Sequence, residues 1–402
     1  MNNPIAGKTI LLGVTGSIAS YKAADLASKL TQAGAKVDVI LTEKGAKFIP
    51  PLTFQSVTGR KAYMDSDLWG GEGHVVHIEL GRAAELIVIA PASANTLASL
   101  AYGMANNLLT VAVLASHCPL MLAPAMDGGM FAHLATQENL RILKDRGAIV
   151  IGPAEGHLAS GLTGPGRMVE PLELLNHIRY HFSRNGELKG KKVVVSAGGT
   201  REAIDPVRFI TNRSSGKQGY AIAHAALDAG ADVTLVTTTD LPVPVGANVI
   251  SVESAADMLK MVEHESRDAY VLIMAAAVAD FAPQKAQSMK IKKDSGIPSF
   301  AVQPTVDILK TIAENRKKTG FPRFMVGFAA ESEDLVKNAQ KKLESKDLDM
   351  IIANNILATD AGFEVDTNRV VLLPRMGEPQ TLPLMSKQEV ANKIIEVISQ
   401  WD

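Results

Sequence analysis

A chain of 402 residues, 47% hydrophobic and 21% charged, carries enough apolar material for two or three buried cores and is too apolar for disorder. Its 41 basic residues nearly cancel 42 acidic ones, so no net field draws in nucleic acid or an anionic membrane, and an anionic ligand must be held by local groups. The single cysteine, Cys118, excludes an intrachain disulfide and fits a reducing, cytoplasmic setting.

The opening residues MNNPIAGKTI run into a strand without a charged leader and apolar block, so no signal peptide is expected. From Lys8, KTILLGVTGSIASYKAADLASKLTQAGAKVDVILT reads as strand, hydroxyl-rich turn, helix and second strand. Ala23, Leu26, Ala27 and Leu30 form one apolar stripe, and Gly34 stands at the helix C-cap. In the turn, Gly16 and Ser17 precede a helix start whose free N–H groups favour a phosphate. The third glycine of GxGxxG is missing, and an ordinary tight turn has the same signature.

His77, in HIELGRAAEL, sits just ahead of a strand at Leu86–Ala90. Buried strands are expected at LIVIAPAS, VAVLAS, PLMLAPAM and AIVIGP. Ser93, Asn95 and Thr96 follow the first of these, at the end where open α/β sheets bind ligands, although plain helix capping is equally compatible. MLAPAMDGGMF brings Asp127 to a third strand end. The most apolar stretch, Leu97–Met126, is interrupted by Asn106, Asn107, His117 and two prolines, short of the roughly 20 residues of a membrane span. GHLASGLTGPGRMVE, residues 156–170, is too rich in glycine for a regular helix or central strand; it carries Ser160 at its middle and Arg167 and Glu170 at its end.

Periodicity breaks at HFSRNGELKGKK, which places a boundary near Asn185 and divides the chain into residues 1–185 and 186–402. The second half repeats the first design in KKVVVSAGGT and SSGKQGYAIAHAALDAGADVTLVTT, with a stripe of Ile222, Ala225, Ala226 and Ala229 and a cap at Gly230. Strands VLIMAAAVAD, FMVGFAAES and DMIIANN follow. Two doubly wound, mostly parallel α/β domains of Rossmann-like type are therefore expected in tandem. Asp280 ends a strand ten residues before Lys290-Ile291-Lys292-Lys293, a carboxylate for a cation and lysines for a triphosphate, unless the lysines only solvate a surface. Lys341, Lys342 and Lys346 lie on a helical stretch, ESEDLVKNAQKKLESK, whose plain reading is a solvated face.

Together, GSIASYKAADL, HIELGRAAELIVIAPASANTLA, GMANNLL, APAMDGGMF and GPGRM resemble the flavin-dependent cysteine decarboxylases. AGGTREAIDPVRFITNRSSGKQG, AAAVADF, KIKK and GFAAES resemble phosphopantothenate–cysteine ligase. Over essentially the whole chain, the order is similar to that of the bifunctional family of bacterial coenzyme A biosynthesis. For the first half the resemblance implies a flavodoxin-like fold, an FMN site from Gly16, Ser17, Thr42, Ser93 and Asn95, and His77 as the active-site histidine. The implied chemistry oxidises a cysteine thiol to a thioaldehyde, releases carbon dioxide and reduces the enethiol. Two positions depart from the family: Asp127 replaces an asparagine that binds the substrate carboxylate, and Ser160 replaces a proton-donating cysteine. A hydroxyl is a weaker acid than a thiol, and an aspartate there repels a carboxylate unless protonated or paired, with Arg167 as candidate. A different proton donor, a substituted variant and an impaired flavin half all remain open.

For the second half the resemblance implies that CTP activates 4'-phosphopantothenate as an acyl-cytidylate, from which the amine of cysteine displaces CMP. Asn212 would serve the acyl-cytidylate step, Asp280 would hold Mg2+, Lys290 would meet the CTP phosphates and Phe328 would border the nucleotide. Lys342 and Lys346 would complete a cationic rim. Thr305, Val306, Asp307 and Ile308 stand where the family has its NPDI loop, with Pro304 displaced, so a preference for CTP over ATP is not legible there. The family forms trimers through its flavin domain and dimers through its ligase domain, up to a dodecamer. Expected partners are thus small molecules and further copies of the chain, with neither nucleic acid nor membrane. Alternative readings are a ligase with an impaired flavin half, a non-catalytic flavoprotein regulatory subunit, and, for the first half alone, a flavin prenyltransferase.

Overall fold

The computed structural model describes residues 3–69, 75–291, 300–331, 334–355 and 365–401. The chain divides into two compact units, Asn2–Phe182 and Ser183–Asp402.

In the first unit, β1 (Thr9–Val14), α1 (Ser20–Gln32) and β2 (Lys36–Leu41) form the opening crossover, followed by α2 (Glu43–Ala46), α3 (Pro51–Thr58) and the short β3 (Ala62–Tyr63). Next come α4 (Val76–Ala83), β4 (Leu86–Ala92), α5 (Ala94–Ala101), α6 (Leu108–Ala115) and β5 (Leu120–Pro124). The unit ends with α7 (Gly128–Ala132), α8 (Leu134–Asp145), β6 (Ile149–Val150), β7 (Ala154–His157), β8 (Thr163–Arg167) and α9 (Pro171–Ser183). The sheet is parallel throughout, in the order β3-β2-β1-β4-β5-β6. Without the two-residue edge strand β3, the remaining five strands follow the flavodoxin order 2-1-3-4-5. Every residue of β4 is buried, because helices cover both faces of the sheet. On one of those helices, α1, the stripe of Ala23, Leu26, Ala27 and Leu30 is completely buried.

One expected strand is a helix. VAVLAS falls in α6, where Asn107 accepts from the Thr110 amide at 2.9 Å and the Thr110 hydroxyl accepts from the Asn107 amide at 3.3 Å. This reciprocal cap contributes about 1 kcal/mol. The helix is apolar all round, with Leu108, Leu109 and Ala112 buried but Leu114 57% exposed, and so shows no helical period. Helix α4 lies so close to it that a Cβ on Gly81 would stand 2.6 Å from the Ala112 carbonyl oxygen. His77 lies within α4, the helix just ahead of β4.

The glycine-rich segment is an antiparallel ribbon, β7 with β8, apart from the main sheet. Its base docks at Gly166, whose carbonyl accepts from the Met126 amide at 3.0 Å; a Cβ there would meet the Met126 oxygen at 2.3 Å.

The second unit contains β9 (Lys192–Ala197), β10 (Arg201–Ala203), β11 (Phe209–Thr211), α10 (Lys217–Asp228), β12 (Asp232–Thr237), β13 (Asn248–Ser251) and α11 (Ala255–Glu265). It continues with β14 (Val271–Met274), β15 (Phe281–Pro283), β16 (Val302–Pro304), α12 (Ile308–Thr319), β17 (Phe324–Glu331), α13 (Leu335–Ser345) and β18 (Met350–Asn355). Last come β19 (Thr367–Asn368), β20 (Val370–Pro374), β21 (Gln380–Thr381), β22 (Met385–Ser386) and α14 (Lys387–Ser399). The main sheet runs β13-β12-β9-β14-β17-β18-β20-β21, parallel through β18 and antiparallel over its last two strands. Among the described residues, three two-stranded ribbons, β10–β11, β15–β16 and β19–β22, stand outside it.

Candidate active sites

In the first unit a cavity of about 620 Å³ opens at the C-terminal ends of β1, β4 and β5, beneath the β7–β8 ribbon. Gly16, Ser17, Ser93, Asp127, Ser160 and Arg167 line it. The buried Thr15 hydroxyl ties two strand ends together, donating to the Pro91 carbonyl at 2.7 Å and accepting from the Ser93 amide at 3.0 Å. Ser93 caps α5 through the Thr96 amide at 3.4 Å and also faces the cavity. The Ala19 N-cap of α1 offers no side-chain cap, and the Ser20 and Lys22 amides donate to the Ser17 and Ala19 carbonyls at 3.0 and 2.9 Å, so an anion here would meet a helix start that is partly engaged locally. A Cβ on Gly16 would lie 2.6 Å from the Cβ of Lys44, so the turn admits only glycine without a shift.

The cavity lining omits three expected residues. Thr42 caps α2 through the Gly45 amide at 3.1 Å, and Asn95 lies exposed in the first turn of α5. His77 is half-buried, and its Nδ1 is enclosed without a hydrogen-bond partner among the described residues.

Asp127 caps α7, accepting from the Gly129 amide at 2.9 Å and from the Ser160 hydroxyl at 2.6 Å. The Ser160 hydrogen bond, with the amide behind it, holds its carboxyl below the usual carboxylate range. Arg167 is not its partner: the guanidinium donates to Glu170 at 2.7 Å. Glu170 also accepts from Lys22 at 2.9 Å, and the Lys22 ammonium donates to the Met168 carbonyl at 2.7 Å. Lys22 is buried at the cavity wall. It went unread although it shares the α1 stripe with Leu26 and Leu30 at four-residue spacing, an unusual place for a lysine.

In the second unit a cavity of about 790 Å³ gathers Asn212, Asp280, Thr305, Val306, Asp307, Ile308, Phe328, Lys342 and Lys346. The backbone is held by short polar links: the Thr305 hydroxyl donates to the Ala279 carbonyl at 2.6 Å and the Thr305 amide to the Asp280 carbonyl at 2.9 Å. The Asn212 side-chain Nδ2 donates to the Val278 carbonyl at 2.9 Å. Asp307 caps α12 and pairs with Lys346 at 3.2 Å. Lys290 is exposed on the segment after β15 and is absent from the lining; Lys292 and Lys293 lie outside the described residues.

The lining residues not singled out in the sequence include Lys217, Gln218 and Lys387. Helix α10 starts at Gly216, with φ of 75° and no side-chain cap, so its first-turn N–H groups face the cavity mouth unclaimed by a cap. Lys217 pairs with Asp366 at 2.6 Å, and the Gln218 amide donates to the Lys387 carbonyl at 3.1 Å. Burial pushes the Lys387 ammonium below its ordinary value, and the Lys217 charge adds to this. Among the described residues no group of three or more His, Cys, Asp or Glu side chains forms a metal cluster, and no helix is long and apolar enough to cross a membrane.

Residues 2–183 match the Flavoprotein family and residues 188–401 match the DNA/pantothenate metabolism flavoprotein C-terminal domain (DFP). The chain is 43% identical over 396 residues to the coenzyme A biosynthesis bifunctional protein CoaBC of Bacillus subtilis, covering 98% of this chain and 97% of that protein. It is 44% identical over 403 residues to the protein of the same name from Vibrio cholerae, with 98% and 99% covered. The crystal structure of the C-terminal domain of a CoaBC protein aligns with 40% identity and a TM-score of 0.45, over 54% of this chain and 97% of that one. The chain belongs to the family of bifunctional enzymes of coenzyme A biosynthesis, a flavoprotein domain followed by a DFP domain.

Proposed function

We propose that the second unit joins cysteine to 4'-phosphopantothenate with CTP, through an acyl-cytidylate, and that the first unit uses FMN to convert the product to 4'-phosphopantetheine. The observation that carries this reading is the meeting of Asn212, Asp280, Phe328, Lys342 and Lys346 in one cleft at the strand ends. Mg2+ fits there, because Asp280 offers one carboxylate and magnesium commonly takes one or two carboxylates plus substrate phosphates. The open first turn of α10 with Lys217 would take phosphate charge, and Lys290 would join it from its exposed segment. Asn212 would orient the acyl group, with Phe328 against the nucleotide.

FMN fits the first cleft on the same grounds: an uncapped helix start, a glycine where a Cβ would clash, and the hydroxyls of Ser17 and Ser93. When bound it supplies a two-electron sink for the substrate thiol. The protein orients the substrate, excludes water beneath the β7–β8 ribbon and holds one proton on Ser160 against Asp127. Because His77 stands away from the cleft of its own chain, we read it as serving a second copy, within an assembly of trimeric flavin domains and dimeric ligase domains. We place the junction of the two activities near Asn185 and the protein in the cytoplasm.

Purified protein is expected to be yellow with an FMN spectrum; colourless protein that fails to take up FMN contradicts the first assignment. Asn212→Ala is expected to abolish CTP-dependent ligation and leave that spectrum unchanged. Ligation that survives contradicts the second.

A further inference from the structure

The turn between β10 and β11 holds a side chain that the proposed chemistry does not use. Asp205 has a completely buried carboxylate. One oxygen accepts from the Val207 and Arg208 amides, each at 2.9 Å, which an ordinary aspartate turn explains. The other oxygen does something a turn does not require. It accepts from Nε of Arg208 at 3.0 Å, from Nη2 of the same guanidinium, and from the amide of Ile291 at 3.1 Å. Arg208 completes the grip by donating to the Ile291 carbonyl at 3.0 Å. Both backbone groups of Ile291 are thus held by two side chains more than eighty positions earlier. One further link, from the Gln287 amide to the Ile204 carbonyl at 2.9 Å, ties the same segment to the same turn.

Ile291 directly follows Lys290, on a segment whose residues 284–290 are all exposed. A buried carboxylate is costly unless every lone pair is matched, and here the partners include a guanidinium, whose hydrogen bonds hold the carboxyl far below its ordinary value. The clamp therefore stays charged and closed across the physiological range.

We infer that Asp205 is a positioning residue for Lys290: with Arg208 it fixes the Ile291 backbone and so anchors the neighbouring lysine, which stands outside the cleft lining and which the proposed reading brings to the nucleotide triphosphate from its exposed segment. This inference rests on the proposed reading of the second cleft. It assigns Asp205 no contact with substrate.

The experiment is a double-mutant cycle on the full chain, with CTP as the varied substrate. Lys290→Ala is expected to raise the KM for CTP. Asp205→Asn, which turns an acceptor toward Ile291 into a donor, is expected to raise it about tenfold, the loss of one hydrogen bond to a charged group, with a smaller change in kcat. Combined with Lys290→Ala, it is expected to add nothing, because its effect passes through the lysine. Trypsin is expected to cut after Lys290 faster in Asp205→Asn while Tm stays within a few degrees. Should Asp205→Asn not fold, Arg208→Lys, which keeps the charge but loses the fork, takes its place in the cycle. Effects that multiply, or an unchanged KM for CTP in a folded Asp205 variant, overturn the positioning role and leave the ligase reading intact. A silent Lys290→Ala overturns the lysine's part in that reading, and the purpose of the clamp with it.

Discussion

The hydroxyl of Ser160 donates to the Asp127 carboxylate at 2.6 Å, linking the tip of the β7–β8 ribbon to the first turn of α7. Both side chains face the flavin-type cleft. The two departures from the family pattern are therefore one contact: each residue supplies the partner that the other needs. Neither is a strong acid at neutral pH, since the hydroxyl keeps its proton and the carboxyl is already ionised.

This pairing sets an expectation for the last reduction. Ser160→Cys places a thiol in the same position and is expected to speed or complete the step, seen by mass as less enethiol and more saturated product. Ser160→Ala removes the link and is expected to slow it. A product profile unchanged in both variants shows that the proton comes from another group.

The pH dependence follows from the direction of the Asp127 shift. Its folded-state value lies below the ordinary one, so the contact is present above the usual carboxylate range and is lost as pH falls through the lowered value. Hydrogen exchange at the Gly129 amide, corrected for its intrinsic pH dependence, is expected to show steady protection from neutral pH to about 4, the ordinary aspartate value, and loss below it. Asp127→Asn is expected to flatten that dependence.

Lys22 supports the ribbon from below. Lys22→Met keeps the apolar stem but leaves the Met168 carbonyl without its donor and Glu170 without its buried cation. An unsatisfied buried group costs about 1–3 kcal/mol, a fall of roughly 3–10 °C in the unfolding transition of the flavin half. Calorimetry checks this, and an unmoved transition contradicts the supporting role.

The sequence was most legible where burial repeats with a period. The stripe of Ala23, Leu26, Ala27 and Leu30 and its counterpart at Ile222, Ala225, Ala226 and Ala229 mark helices that each lie on a sheet. VAVLAS misled because its helix carries apolar residues even on its exposed side, where Leu114 lies, and so has no polar face; Asn107 and Thr110, at capping-box spacing, were the signal that distinguished it. Charge was harder to read. Lys342 and Lys346 reach the cleft, whereas Lys290, from an equally basic stretch, stands outside it. The Lys22 ammonium is held by Met168, 146 residues away, and the Lys387 carbonyl by Gln218, 169 residues away, contacts that no local pattern reveals. Asp280 was legible as a carboxylate near a sheet edge, although β14 ends at Met274 and Asp280 directly precedes β15 instead of ending a strand; Asn212, just after β11, was legible through the family motif.

The central claim, that two clefts perform successive chemistry, is tested most directly by incubating the full chain with CTP, Mg2+, 4'-phosphopantothenate and cysteine and following all products by mass. The expected result is CMP released in step with a cysteine adduct, followed by loss of carbon dioxide and appearance of 4'-phosphopantetheine. An adduct that never forms, or CMP released without it, would contradict the account.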